Sequence, residues 1–292
     1  MKKLITLGIA GCMLLTLSGC GSTNTKVSDS DMVLISIGNK EYTKEDLYSE
    51  IKEKMSTNLI PSIIDAKLFE LEVPTTPELE AKAKESLAAM KTSLGENFPM
   101  YLAQMGYSDE TKFYNERILS STKMAGLATK YVNDNFDKMV KEYSPVKVQI
   151  MQVTNKEEGT KAIELIKGGK TLEEAYVESV KTPSPTAVYK GKEQIVTTGT
   201  DVPTVITEQI KTLEKDQISG VIEDSANQAF YVVKVLDKDA NNYKEGAASS
   251  MASSTAVSKK AFSHYLDVHD FAFHDQGIRD LFAKSLPEYL GE

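Results

Sequence analysis

The stretch "PVKVQIMQV" at Pro145–Val153 marks the point where the sequence changes from a helical to a strand-like pattern. Upstream, apolar residues recur at spacings of three and four. Here apolar and polar residues alternate, which is typical of a strand with one buried face. "EEGTKAIELIKGG" follows at once at residues 157–169, and its apolar spacing is helical. A strand followed directly by a helix predicts that an α+β module begins at residue 145.

The rest of the module is predicted from short signals. Thr171 and Glu174 form a capping-box pattern ahead of an apolar helix face. A Pro/Ser/Thr-rich loop comes next, and then a series of strand and helix patterns: "EQIVTT" (193–198), a short helix near Val205–Leu213, "ISGVI" (218–222) and "QAFYVVKVLDK" (228–238). Together these predict a module over residues 145–239, which is within the usual size range of a domain.

The sequence before the module is predicted to be helical after one strand-like run. "MVLISIGNKEYT" (32–43) reads as strand and turn, with the turn at Gly38-Asn39. Thr43 and Asp46 then form an N-cap pair for a helix. The apolar residues expected to face inward from this helix are Leu47, Ile51 and Met55.

Two further helices are predicted before residue 145. Thr76-Pro77 opens the first and Gly95 ends it. Its apolar face consists of Leu79, Ala83, Leu87, Met90 and Leu94. Ser108, with Asp109 and Glu110, is expected to start the second as one long helix. Its apolar positions are Met124, Leu127, Tyr131 and Met139.

The sequence after the module leaves one alternative open. "EGAASSMASSTAVSKK" (245–260) reads as either a linker or a weak helix, because alanine favours helix and serine does not. The last segment predicts an amphipathic helix with Ile278, Leu281, Phe282 and Leu286 on one face. Since a single helix cannot bury such a face alone, we expect it to pack on the N-terminal helices, which makes residues 145–239 an insertion.

The first twenty residues are predicted to carry an export signal. Lys2 and Lys3 precede an apolar run, Leu4–Leu17, that is too short to span a membrane as a helix. Leu17-Ser18-Gly19-Cys20 resembles the lipobox of bacterial lipoproteins. That resemblance implies a signal peptide over residues 1–19, an S-diacylglycerol and an N-acyl chain on Cys20, and a tether over residues 20–31.

Cysteine content and charge exclude some alternatives. A disulfide between Cys12 and Cys20 is not expected, because Cys12 lies in the run that cleavage removes. Cleavage also removes two lysines and no acidic residue, so the formal net charge changes from -8 to -10. An acidic protein is a poor binder of nucleic acid, and no nucleic-acid partner is predicted.

The order of these parts resembles the PrsA family of lipid-anchored foldases. The features that carry the resemblance are the lipobox, the motif "GENF..YL.Q.G" in the helical part, the β-α-α-β-α-β-β module ending in "VVKVLDK", and the returning C-terminal helix. It implies an α+β fold: a mainly helical, SurA-like chaperone domain built from residues 32–144 and 240–292, with a parvulin-like α/β module inserted at 145–239.

The resemblance also locates a degenerate parvulin pocket. Active members carry a histidine in the first strand and another in the last, and this chain places Ile150 and Tyr231 there. The family's Met and Phe of the prolyl pocket are replaced by Asp201 and Val205. Isoleucine can neither donate nor accept a hydrogen bond, and a carboxylate is costly to bury against a proline ring. No catalytic residue is therefore assigned, and Ile150 is interpreted as a core residue beside Val146 and Val148.

Other site types are not supported by the sequence. His264, His269 and His274 recur every five residues, a spacing that does not align ligands on one helix face, so they are interpreted as surface histidines near a linker. No metal and no cofactor are predicted. Met90, Met100, Met105, Met124 and Met139 cluster in the helical part, where flexible apolar side chains suit either an ordinary core or a surface that holds varied segments.

We therefore expect a foldase or chaperone, lipid-anchored on the extracytoplasmic face of the cell membrane, that binds unfolded or newly exported polypeptides. A divergent but active peptidyl-prolyl isomerase is the alternative, because Tyr231 retains a hydroxyl donor. A solute-binding lipoprotein is a third reading and predicts two α/β lobes. Whether the chain forms a homodimer through its helical arms stays open.

Overall fold

The computed structural model describes residues 27–181 and 187–290. These residues form two compact units. The terminal unit contains residues 27–60 and 271–290, and the central unit contains residues 61–181 and 187–270. The predicted signal peptide and most of the tether, including Cys12 and Cys20, lie outside the described residues.

The terminal unit begins with a β-hairpin. Strands β1 (Val33–Ile37) and β2 (Lys40–Thr43) pair antiparallel around Gly38, whose φ of 63° suits a residue without a Cβ. Helix α1 (Lys44–Glu72) follows directly. At its start, the Thr43 backbone N–H donates to Asp46 Oδ2 at 2.7 Å and the Asp46 N–H donates to Thr43 Oγ1 at 3.2 Å, so the predicted cap is confirmed.

The C-terminal helix completes the terminal unit. In α12 (Gln276–Ser285), Asp275 caps the first turn and also pairs with Lys52 of α1 at 2.8 Å. Phe282 is fully buried, with its ring 4.8 Å from that of Phe273 and 5.5 Å from that of Tyr289. Phe282, one residue of the predicted apolar face, therefore lies at the centre of a small aromatic core, while Ile278, Leu281 and Leu286 are half-buried.

The first half of α1 differs from the prediction. Leu47 and Ile51 are each 40% exposed and Met55 is 49% exposed, so the expectation that they face inward was wrong. The spacing is helical as predicted, but these three side chains keep two-fifths or more of their surface exposed.

Helices form the first part of the central unit. α2 (Pro77–Leu94) starts at its Thr76 cap and ends at Gly95, as predicted. The long helix expected after Ser108 is divided, because a π-helical turn interrupts it at Tyr114–Leu119 and it ends at Asn135. The elements are α3 (Phe98–Gln104), α4 (Glu110–Phe113), the π-helical turn, α5 (Ser120–Asp134) and α6 (Phe136–Tyr143).

The segment after the module is helical, which answers the linker alternative. α10 (Lys244–Ala252) and α11 (Thr255–Val268) both pack on α5. Ala247, Ala248 and Met251 are buried in this packing. Small side chains allow the helices to approach closely, so a run that is weak in helix propensity is stabilised by tertiary contacts.

An antiparallel sheet forms the second part of the central unit, in the order β4-β3-β6-β5. Its strands are β3 (Val146–Val153), β4 (Lys190–Val196), β5 (Ile222–Asp224) and β6 (Ala229–Asp237). Helices α7 (Lys156–Lys167) and α8 (Leu172–Ser179) cover one face, and α9 (Thr204–Thr212) covers the other. The capping box of α8 is present as predicted.

The predicted fold class is confirmed, because the chain is mainly helical with one small α/β sheet module. No helix within residues 27–181 and 187–290 is long and apolar enough to cross a membrane.

Candidate functional site

The structure brings together three of the four residues of the predicted degenerate pocket. Ile150, in the middle of β3, is fully buried and lies opposite Val233 of β6. Tyr231, also on β6, is 4% exposed and belongs to the same apolar cluster, and Val205 of α9 packs against that cluster. Ile150 is thus a core residue on the same face as Val148, as the strand alternation predicts.

The fourth residue lies apart from this cluster. Asp201 is exposed in the loop before α9, and its backbone carbonyl accepts a hydrogen bond from the Tyr189 hydroxyl at 3.4 Å. Because the Asp201 carboxylate stays in contact with water, it carries no desolvation penalty and does not destabilise the apolar cluster.

Tyr231 is the polar group within the cluster. Its ring meets that of Tyr189 edge to face, with centroids 6.0 Å apart. Burial, with smaller contributions from Asp224 and Tyr189, raises the pKa of the Tyr231 hydroxyl above its usual value of about 10. The hydroxyl is therefore neutral at pH 7 and can donate one hydrogen bond. Of the three pocket residues that lie together, Ile150, Val205 and Tyr231, only Tyr231 has a polar side-chain group, and that hydroxyl lies in an apolar cluster.

A second candidate site is an exposed row of apolar side chains on α1. Leu47, Ile51, Met55 and Leu59 are spaced four residues apart, which places them on one ridge of the helix. Their exposed fractions run from 40% to 49%. We call these four residues the α1 row.

The hairpin before α1 is also apolar and exposed. Met32, Val33, Leu34, Ile35 and Ile37 all expose at least 40% of their surface, and Ile37 exposes 77%. A single exposed apolar residue is ordinary, but an extended set in one small unit is typical of a surface that binds something. Sequence reasoning missed this surface. The signal for it was that "VLISI" at 33–37 does not alternate as a half-buried strand would.

The histidines differ partly from their interpretation as surface residues near a linker. His264 lies within α11, half-buried, with its ring 5.2 Å from that of Tyr131. His269 Nε2 lies 2.8 Å from Glu72 Oε1. His274 is exposed. Within the described residues, no three His, Cys, Asp or Glu side chains are grouped so that they could hold a metal ion.

Comparison with known proteins gives similar proteins that include PrsA foldases. No protein-family model matches the chain. The crystal structure of foldase protein PrsA from Streptococcus pneumoniae superposes with a TM-score of 0.49 at 20% identity, covering 87% of this chain and 100% of that one. PrsA from Lactococcus lactis gives a TM-score of 0.45 at 21% identity, covering 87% and 98%.

Sequence comparison with curated proteins gives relatives with the same name. Foldase protein PrsA of Streptococcus pneumoniae is 26% identical over 262 residues, which cover 84% of this chain and 80% of that protein. The chain is similar to PrsA-type foldases. This confirms the resemblance that the order of parts indicated, and it supports a foldase or chaperone role. The replacement of catalytic histidines by Ile150 and Tyr231 stays a prediction.

Proposed function

We propose that this protein is a membrane-anchored foldase or chaperone that holds newly exported, unfolded polypeptides and assists their folding outside the cytoplasm. The observation that carries the proposal is the apolar surface of the terminal unit, formed by the α1 row and the hairpin. Similarity to PrsA foldases supports the foldase or chaperone activity, and the exposed apolar surface is where an unfolded polypeptide would bind.

Exposed apolar side chains on a folded frame can bind apolar segments reversibly. Each square ångström of apolar surface removed from water contributes about 25 cal/mol, so partial burial of a few side chains gives weak binding. Weak binding suits a chaperone, because a client must leave in order to fold. The frame is kept in place by the Phe282 core and by the Lys52–Asp275 ion pair, in which Asp275 is buried.

The anchor and the compartment belong to the same proposal. Lipid on Cys20 would hold the protein at the extracytoplasmic face of the cell membrane. The twelve residues of the tether, 20–31, would reach at most about 40 Å when fully extended. Within it, the turn before β1 is already bonded to the fold, since the Glu45 N–H donates to the Ser30 carbonyl at 3.1 Å. Clients would thus be met close to where exported chains emerge.

We further propose that the module at 145–239 is catalytically inactive and serves structure or peptide binding. The full burial of Ile150 supports this, because an aliphatic side chain cannot polarise the twisted amide that prolyl isomerisation requires. An active isomerase stays the second candidate, favoured by the neutral hydroxyl of Tyr231. A solute-binding protein is not favoured, since the described residues contain one four-stranded sheet and one hairpin rather than two α/β lobes.

One experiment separates these functions. The mature chain is compared with a triple variant, Leu47→Ser, Ile51→Ser and Met55→Ser, in an aggregation assay on a chemically unfolded client. We expect the wild type to suppress aggregation and the triple variant to lose most of that effect. The matched control, Leu71→Ser with Val177→Ser and Val188→Ser, removes exposed apolar side chains from the central unit instead and should retain it.

The same client can be chosen so that a proline isomerisation limits its refolding. If the wild type accelerates the slow phase and Tyr231→Phe abolishes the acceleration, the active isomerase is supported and the inactive module is wrong. If the wild type suppresses no aggregation at all, the proposed holding function is wrong.

A further inference from the structure

A pocket of about 310 Å³ opens on the helical part of the central unit. Its apolar lining comes from α2, α3, α4, the π-helical turn and α5. The apolar lining residues are Met90, Tyr101, Phe113, Ile118 and Met124. We call this the methionine pocket.

The floor of the pocket is an aromatic cluster. The ring of Phe113, which is 2% exposed, meets three other rings edge to face: Phe98 at 6.3 Å, Tyr101 at 6.1 Å and Tyr107 at 5.2 Å between centroids. Phe98 and Tyr101 belong to the "GENF..YL.Q.G" motif. Edge-to-face aromatic pairs fix ring positions, so the floor is preformed rather than assembled by a ligand.

The walls are adaptable where the floor is rigid. Met90 and Met124 are both half-buried. Methionine has three rotatable bonds and a polarizable sulfur, so its side chain can adjust to apolar groups of different shape. A volume near the lower limit for ligand pockets, about 300 Å³, suits one apolar side chain better than a larger cofactor.

The rim carries a single positive charge. Glu116 and Arg117 project from the π-helical turn, a feature that often occurs at functional sites. Lys112 lies 4.0 Å from Glu116 and so offsets its charge. The exposed Arg117 side chain forms no ion pair or hydrogen bond with any residue in 27–181 or 187–290. It is one of two arginines in a chain of net charge -8.

We infer that the methionine pocket receives an apolar side chain of a bound polypeptide, and that Arg117 pairs with a carboxylate next to that side chain. The inference rests on the proposed function and specifies which client segments bind best: those with an acidic residue next to an apolar one. A guanidinium binds a carboxylate through two parallel hydrogen bonds, which a lysine cannot reproduce. The acidic character of the rest of the chain makes a local cation necessary if acidic client segments are to approach.

The test uses the full mature chain and three fluorescent peptides that differ at one position beside a central phenylalanine: Glu, Gln or Lys. Binding is followed by anisotropy. We expect the Glu peptide to bind about threefold more tightly than the Gln peptide, as one exposed ion pair allows, and the Lys peptide to bind more weakly. Arg117→Gln should abolish the difference between Glu and Gln, and Arg117→Glu should reverse the order of Glu and Lys.

Two matched variants keep the result specific. Lys138→Gln removes one positive charge from an exposed position of the same unit outside the pocket lining, and it should leave the preference for Glu unchanged. Met124→Ala should weaken all three peptides alike by a fewfold, because it removes apolar contact and no charge.

A readout at the pocket itself is given by methionine methyl NMR. Peptide binding should shift the Met90 and Met124 methyl signals and leave that of Met100 unchanged, since Met100 is exposed on α3 and does not line the pocket. If the wild type holds unfolded clients but the preference for Glu survives in Arg117→Gln, or the Met90 and Met124 signals do not move, this inference is overturned and the proposed function stands. If no peptide binds and no aggregation is suppressed, both fail.

Discussion

Helices α1 and α5 carry apolar residues at the same spacing of four, yet only one of the two rows is covered. Leu47, Ile51 and Met55 of α1 are 40–49% exposed, whereas Leu127 and Tyr131 of α5 are buried. The difference lies in the neighbours, because α2, α10 and α11 all pack on α5. Apolar periodicity therefore predicts a helix with an apolar face. The rest of the fold decides whether that face becomes part of the core or stays exposed as a binding surface.

The comparison is tested most strongly by truncating one leucine in each row. Leu127→Ala should lower the free energy of unfolding by about 3 kcal/mol, because Leu127 is fully buried and the cavity cannot be filled. Leu47→Ala should change it by less than about 0.5 kcal/mol, as exposed positions do. Urea unfolding followed by circular dichroism measures both. Equal losses in the two variants would mean that the α1 row is covered in solution.

A second test extends the comparison to the sheet. Ile150→His restores the residue type that the resemblance places there, but in a fully buried position within an apolar cluster. An imidazole without a partner costs about 2 kcal/mol of stability, so we expect a less stable protein with no gain in isomerase activity. Ile150→Val is the control and should cost about 1 kcal/mol. Isomerase activity gained in Ile150→His would show that the pocket is one substitution from function.

The smallest expected effect concerns the polar edge of α5. Lys130 Nζ lies 2.9 Å from Asp134 Oδ2, and the Tyr265 hydroxyl donates to the same oxygen at 2.9 Å. The hydrogen bond from Lys130, with that from Tyr265, lowers the pKa of Asp134 below its usual value of about 3.9. A lowered folded-state pKa stabilises the protein above about pH 4, and this contribution is lost as the pH falls through the folded-state pKa.

Asp134→Asn should therefore cost about 0.5 kcal/mol at pH 7, a modest value because the Asp134 side chain is half exposed and screened by solvent. The gap from wild type should shrink as the pH falls from 5 to 2. Urea unfolding at each pH measures it. Glu164→Gln, at an exposed position with no ion pair to a described residue, should show no such pH-dependent gap; a gap of equal size there would contradict the role of the network.

Local signals in the sequence predicted much of the secondary structure correctly. The caps at Thr43, Thr76 and Thr171 begin their helices because their side chains bind backbone N–H groups nearby, which needs no distant partner. The strand alternation around Ile150 likewise predicted that Val148 and Ile150 share a buried face, but it did not predict that Met151 and Val153 are buried on the opposite face. Such features depend on residues close together in the chain.

Features that the local sequence pattern does not mark were predicted less well. The continuous helix expected after Ser108 contains a π-helical turn at Tyr114–Leu119. The run at 245–260 is helical although its serines disfavour helix. Its small side chains are buried where α10 and α11 pack on α5, and this packing stabilises the helices. Arg117 had no pattern to mark it, since its lack of a partner is a property of the folded surface.

The sequence by itself determined the family resemblance, many of the strands and helices, and their caps, because these follow from periodicity, short-range hydrogen bonds and the order of parts. Only the tertiary structure decided that the α1 row stays exposed while the Leu127 row is buried. It also showed that a single guanidinium lies at the rim of the methionine pocket. Whether an apolar or charged side chain is satisfied depends on which distant elements reach it, and that is set by packing rather than by local pattern.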